Sequence, residues 1–165
     1  MVDLRDSIPS TGGRELGQAL QEYVHQIPDG SAVVEVGAWL GAGTRQIAKA
    51  LDARTTTHRL DLYGRFCATE AEVLRAANTG IHLRPGQNTI PVVRKHLRGI
   101  RQPITVHRGD LSRARWSGGP IGLYVDDAAK TEPLFRRMLH AFDGVDGARF
   151  RHRNVPYWVS FVTVQ

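Results

Sequence analysis

Residues 33–44 read V-V-E-V-G-A-W-L-G-A-G-T, an apolar run carrying one acid and followed by glycines at 37, 41 and 43. An apolar run interrupted only by Glu35 suits a strand buried on both faces, and the glycines suit a tight turn out of it. Residues 44–51 then carry Ile47, Ala48 and Leu51 at helical spacing, and residues 59–63, R-L-D-L-Y, form a second short strand. Strand, glycine turn, helix, strand is a βαβ unit. It constrains the architecture more than any other feature, because parallel neighbours need crossover helices and those helices cover the sheet.

The rest of the chain repeats the alternation. Ser10 or Thr11 can cap a first helix in which Leu16, Leu20, Tyr23, Val24 and Ile27 fall near one face, stopped by Pro28-Asp29-Gly30. Thr69 can cap a helix through Glu70, Val73, Leu74 and Ala77, and Pro91 sits in the first turn of another over residues 90–97. Residues 104–107 and 121–125 read as strands, the second ending on Asp126-Asp127. Thr131 can cap a last helix with Leu134, Phe135, Met138, Leu139 and Phe142 on its apolar face. The expected fold class is α/β, a mainly parallel sheet with helices on both faces.

After Phe142 the pattern changes. Arg149, Arg151 and Arg153 alternate with Ala148, Phe150 and His152, which suits an edge strand, and residues 157–164 are strand-like. An antiparallel C-terminal strand or hairpin is therefore predicted. The chain reads as one domain: an N-terminal helix (1–30), a ligand-binding core (31–142) and the C-terminal strands (143–165).

Composition narrows the function classes. The formal charge is +6, and all basic side chains but Lys49, Lys95 and Lys130 are arginine. The arginines are scattered, without the basic blocks or interleaved aromatics of nucleic-acid grooves, so nucleic acid is not the expected partner. Cys67 stands alone, which excludes an intrachain disulfide and any multi-cysteine zinc site and fits a reducing, cytoplasmic setting. No run approaches the ~18 apolar residues of a membrane span. The histidines show no H-x-x-x-H or H-E-x-x-H pairing and read as core or surface residues.

Three ligand chemistries compete for the glycine turn. A P-loop needs G-x-x-x-x-G-K-[ST]; counted from Gly37 the second glycine falls on Ala42 and no lysine follows. A dinucleotide fingerprint needs a bare second glycine against the pyrophosphate, and that position is Trp39. The spacing that remains, acid-x-Gly-x-x-x-Gly-x-Gly-Thr, suits a ligand bearing an ammonium and a carboxylate, which a strand-end acid and turn amides can answer respectively.

With that spacing the chain resembles the class I S-adenosylmethionine-dependent methyltransferases, in particular the small-molecule O-methyltransferase branch with its E/D-x-G-x-x-x-G-x-[GS]-[ST] motif. The resemblance spans about residues 32–142. It implies a Rossmann-like fold and S-adenosyl-L-methionine as cofactor. Glu35, Gly37, Ala38 and Gly41 would lie along the methionine part, Asp61 at the ribose hydroxyls and Asp110, in Gly109-Asp110, near the adenine. I-G-L-Y-V-D-D-A-A-K resembles the strand written D-x-[IV]-F-[IL]-D-A-D-K in the metal-dependent, catechol-type branch. In that register Asp127, with Asp126, would bind a divalent ion such as Mg²⁺, and Asp127 and Lys130 would serve catalysis on the hydroxyl of a small-molecule acceptor.

Each of these residues also has a plainer reading. Glu35 can be a buried acid held by backbone amides, Asp61 can pair with Arg59 or Arg65, Asp110 can cap a turn with Ser112, and Lys130 can be a solvated side chain. The resemblance also breaks off. Family members continue from the last helix into a Gly-Gly turn and a fifth parallel strand, where this chain has D-G-V-D-G-A-R-F, and the second acid of D-A-D-K is Ala129. Methyl transfer to a small hydroxyl is thus the expected activity. A cofactor-binding but non-catalytic partner subunit is the alternative, RNA modification a more distant one, and a homo-oligomer is compatible with either.

Overall fold

The computed structural model describes residue 8 and residues 13–128, 131–142, 149–152 and 160–163. In chain order the elements are α1 (Gly13–Val24), β1 (Ala32–Val36), α2 (Ala42–Asp52), β2 (Leu60–Gly64), α3 (Glu70–Ala77), α4 (Ile90–His96), β3 (Ile104–Arg108), β4 (Ile121–Asp126), α5 (Glu132–Ala141), β5 (Arg149–His152) and β6 (Ser160–Thr163), with a 3-10 turn at Leu111–Arg113 between β3 and β4. None of these helices is long and apolar enough to cross a membrane.

One six-stranded sheet runs in the order β3-β2-β1-β4-β6-β5. The first four strands are mutually parallel, while β6 is antiparallel to both β4 and β5. The chain leaves β1 toward β2 and β3, then returns to the other side of β1 for β4. That reversal puts a topological switch point between β1 and β4, where open α/β sheets bind ligands beyond the strands' carboxyl ends.

Both faces of the sheet are covered, as the apolar runs require. On one face Leu20 and Val24 of α1, Ile47 and Leu51 of α2 and Val93 of α4 pack with Val33, Leu60, Leu62, Leu123 and Val125. On the other, Met138 of α5 and Phe142 pack with Val34, Val36, Tyr63 and Tyr124. Alternate residues of β1 thus belong to opposite layers. Each fully buried aliphatic side chain in them stabilises the fold by about 2 kcal/mol.

The C-terminal hairpin lies where the sequence leaves room for it. Residues 160–163 pair with Leu123–Asp126 of β4, and the arginine-bearing β5 forms the sheet's outer edge, bonded to β6 alone. Some details differ from expectation. α1 stops at Val24, short of Ile27, β2 runs over residues 60–64 rather than 59–63, and Thr131 makes no side-chain bond that caps α5. Ser10, Thr11, Ala129 and Lys130 lie outside the described residues.

Candidate functional site

A cleft of about 920 Å³ opens at the carboxyl ends of the parallel strands, within the ~300–1,000 Å³ of small-molecule sites. Every parallel strand contributes to it through the residues just beyond its end. β1 supplies Gly37 and Trp39, β2 supplies Arg65, Phe66 and Cys67, β3 supplies Gly109 to Ser112, and β4 supplies Asp127 and Ala128. Glu72 and Arg75 of α3, Thr89 and Leu134 complete the lining.

Backbone conformation marks the same place. Among the described residues the non-glycine positions with positive φ are Trp39 (33°) and Phe66 (46°), and both line the cleft. A bulky residue in this region is strained by about 1–3 kcal/mol and persists only where its surroundings over-determine it. Trp39 lies three residues past the end of β1 and Phe66 two past the end of β2, so the strain sits at two neighbouring strand ends.

The glycine turn is shaped mostly by the protein itself. Gly37 has φ 93°, and a Cβ there would lie 2.9 Å from the backbone nitrogen of Ala128, so β1 and β4 can approach at this point only without a side chain. Gly41 is the N-cap of α2 at φ 87°. A Cβ on Gly43 would come within 2.7 Å of Glu35 Oε1. The Glu35 carboxyl therefore points back at the first turn of α2, where its Oε2 accepts a 2.5 Å bond from the Thr44 hydroxyl. Burial raises its pKa to about 7, with the Thr44 bond opposing and the negative charge of Asp127 adding.

Helix α4 anchors this turn from outside. His96 Nδ1 lies 2.7 Å from the Leu40 carbonyl, and the buried Arg45 of α2 donates from Nη1 to the His96 carbonyl at 2.8 Å. At the far end of the cleft Asp110 Oδ1 accepts from the Ser112 backbone N–H at 2.8 Å. That bond holds the Asp110 carboxyl below the usual carboxylate range, so it stays anionic at neutral pH.

The chain shares its fold with a solved methyltransferase. The SAH-bound methyltransferase PaMTH1 of Podospora anserina superposes with a TM-score of 0.50 over 93% of this chain and 79% of its own, at 8% identity. Weaker likenesses are to MNMC2 from Aquifex aeolicus (TM-score 0.47, 9% identity, 98% of this chain and 60% of that one), and to an O-methyltransferase family protein from Burkholderia thailandensis (TM-score 0.42, 11% identity, 92% of this chain and 55% of that one). No protein-family model matches the chain, and no curated protein matches it in sequence.

Three of the residues singled out in the sequence, Gly37, Asp110 and Asp127, come together in the cleft. Glu35, Ala38 and Gly41 do not line it: they are buried, and Ala38 belongs to the apolar core. Asp61 does not line the cleft either. It lies inside β2, buried, with Oδ2 bonded by Arg59 Nε at 2.6 Å and Oδ1 paired with His107 Nε2 at 2.7 Å. Both oxygens are thus occupied by side chains, and the Arg59 contact is the plainer of the readings its sequence context offers.

The divalent-ion reading gains no support. Asp126 is buried, Oδ1 accepting from the Ala128 N–H at 2.9 Å and Oδ2 from the Tyr124 hydroxyl at 3.1 Å. Among the described residues no group of three or more His, Cys, Asp or Glu side chains is arranged to hold a metal. A hard cation wants about six oxygen ligands, so the Asp126 and Asp127 pair does not fit one. Lys130 lies outside the described residues.

The sequence also hides part of the site. Arg65, Phe66, Glu72, Arg75, Thr89 and Leu134 reach the cleft only through tertiary placement. The one local signal is R-F-C directly after β2, which reads as an ordinary loop.

Proposed function

We propose that the cleft binds S-adenosyl-L-methionine and that the chain moves its methyl group to a hydroxyl of a small-molecule acceptor. The observation that carries this reading is the cleft's position at the β1/β4 switch point, where the bare backbone at Gly37 and Gly109 meets the carboxylates of Asp110 and Asp127. Open backbone suits close approach of a ligand, and the acids suit an ammonium or sulfonium cation and hydroxyl or amine donors. Phe66, Leu111, Ala128 and Leu134 offer apolar wall to an adenine. The SAH carried by the Podospora methyltransferase of the same fold supports the choice of cofactor.

When bound, the sulfonium supplies an already activated methyl group, so the protein's contribution is binding, alignment and exclusion of water. Gly37 and Asp110 are assigned to the cofactor. Glu35 shapes the turn from behind through Thr44 and Gly43 rather than by touching the ligand. Asp127 is assigned to the acceptor side, with Lys130 as the proposed partner in removing the hydroxyl proton. Pairing of β6 beside β4 extends the sheet on that side, so Asp127 follows an interior strand and not an open edge.

Calorimetry with S-adenosylhomocysteine tests the cofactor. The wild type is expected to bind, and Asp110→Ala to weaken binding by about tenfold, the worth of one charge-assisted hydrogen bond. Absence of any heat with the wild type sinks the proposal. Transfer of labelled methyl to a panel of small hydroxyl compounds tests the activity; binding without turnover on any of them would favour the non-catalytic subunit instead.

A further inference from the structure

One wall of the cleft is built from hydrogen-bond donors that the protein does not satisfy. Arg65, just past β2, has one ion-pair partner, Glu72 Oε2 at 3.9 Å, too long for a hydrogen bond, and its side chain is 64% exposed. That same Glu72 oxygen already accepts from the Thr69 N–H at 2.7 Å and the Thr69 hydroxyl at 2.8 Å in the capping box of α3. Arg75, one turn further along α3, places its guanidinium 5.7 Å from the centre of the Trp39 ring, against a π face and not an acceptor. The indole Nε1 of Trp39 is itself buried with no hydrogen-bond partner, a costly state for a donor. All three residues line the cleft.

This polarity is the reverse of what a ligand diol would call for at the end of β2. The carboxylate that the sequence offers for that role, Asp61, lies buried in the strand. The cleft wall beyond the strand carries two guanidinium groups, donors only, beside a Glu72 carboxylate whose Oε2 is taken up by the capping box of α3 and a Trp39 ring on which Arg75 rests. We infer that the β2–α3 wall, formed by Arg65, Arg75 and Trp39, is an oxyanion subsite, and that the ligand filling the cleft carries a carboxylate or phosphate against it. Arginine is suited to this, since a planar guanidinium offers parallel N–H donors to two oxygens at once. Phe66, held at positive φ beside Arg65, and Trp39, held likewise beside β1, fix the wall's backbone at two strand ends.

The inference rests on the proposed function only for where the oxyanion comes from, either the amino-acid carboxylate of the cofactor or an acidic group on the acceptor. Calorimetry on the full chain, wild type and Arg65→Gln/Arg75→Gln, separates the two with matched probes. S-adenosylhomocysteine is compared with its carboxamide, which keeps the ammonium and lacks the carboxylate, and 3-hydroxybenzoate with its neutral near-isostere 3-hydroxybenzamide. The wild type should prefer the carboxylate member of at least one pair by about tenfold or more, and the double variant should reduce that preference to about twofold or less. Loss confined to the first pair assigns the oxyanion to the cofactor; loss in the second assigns it to the acceptor. Both substituted side chains are solvent-exposed, so the variant should unfold at the wild-type temperature.

A wild type that binds S-adenosylhomocysteine while neither pair responds to the substitutions would overturn the oxyanion subsite and leave the methyltransferase reading standing. A wild type that binds no S-adenosylhomocysteine yet prefers hydroxybenzoate through these arginines would do the opposite. Binding of no probe at all would overturn both.

Discussion

Glu35 is a carboxylic acid enclosed between α1, α2 and the sheet, and its protonation is coupled to folding. Its folded-state pKa of about 7 lies above the ordinary 4.5 because burial disfavours the charged form. The folded chain therefore holds this proton more tightly than the unfolded one. The stabilisation is complete below about pH 4.5 and is lost as pH rises toward 7, a cost of up to about 3 kcal/mol. Urea denaturation at about pH 5 and about pH 8 should show wild-type stability falling across that interval, and Glu35→Gln should flatten the fall. An unchanged slope in Glu35→Gln would mean that other groups carry it. In the sequence this residue is legible as a buried acid on a strand, but not as one turned toward Gly43 and Thr44. Asp61 is half legible. Its pairing with Arg59, two residues away, is one of the readings its sequence context offers, whereas its pairing with His107 joins residues 46 apart in sequence.

At the scale of elements, helices and their stops are the most readable. T-E-A-E over residues 69–72 closes a reciprocal capping box in which the Thr69 hydroxyl accepts from the Glu72 N–H and the Glu72 side chain accepts from the Thr69 N–H. Thr69→Ala should cost about 1 kcal/mol in global denaturation, since one donor at the start of α3 loses its acceptor. Because Glu72 and Arg75 of the same helix line the cleft, the loss should also loosen that wall. The docking of α4 cannot be read in this way. His96 reaching the Leu40 carbonyl and Arg45 reaching the His96 carbonyl are contacts across 56 and 51 residues, and neither residue type announces such a partner. The glycines of the turn show the same limit. The pattern says that bare positions are needed, while the packing says why: Ala128 faces Gly37 and Glu35 faces Gly43.

For the whole molecule, one βαβ unit implies the parallel core, and the strand order implies the cleft's position. The tail needs the structure. Its alternating arginines mark an edge, but only the sheet shows that β6 lies between that edge and β4. All six residues of β4 are buried. Ending the chain at Phe142 would leave one side of this apolar strand without its partner, so that variant should aggregate or associate on size-exclusion chromatography; a well-behaved monomer would show that the hairpin is dispensable. The central claim is that a cofactor sits across the strand ends, and amide NMR of the labelled chain titrated with S-adenosylhomocysteine tests it most directly. Shifts are expected at Gly37, Gly109, Ser112 and Ala128, with Arg59 and Thr105 unmoved. Shifts confined to Arg59 and His107, the partners of Asp61, or no shifts at saturating ligand, would contradict it.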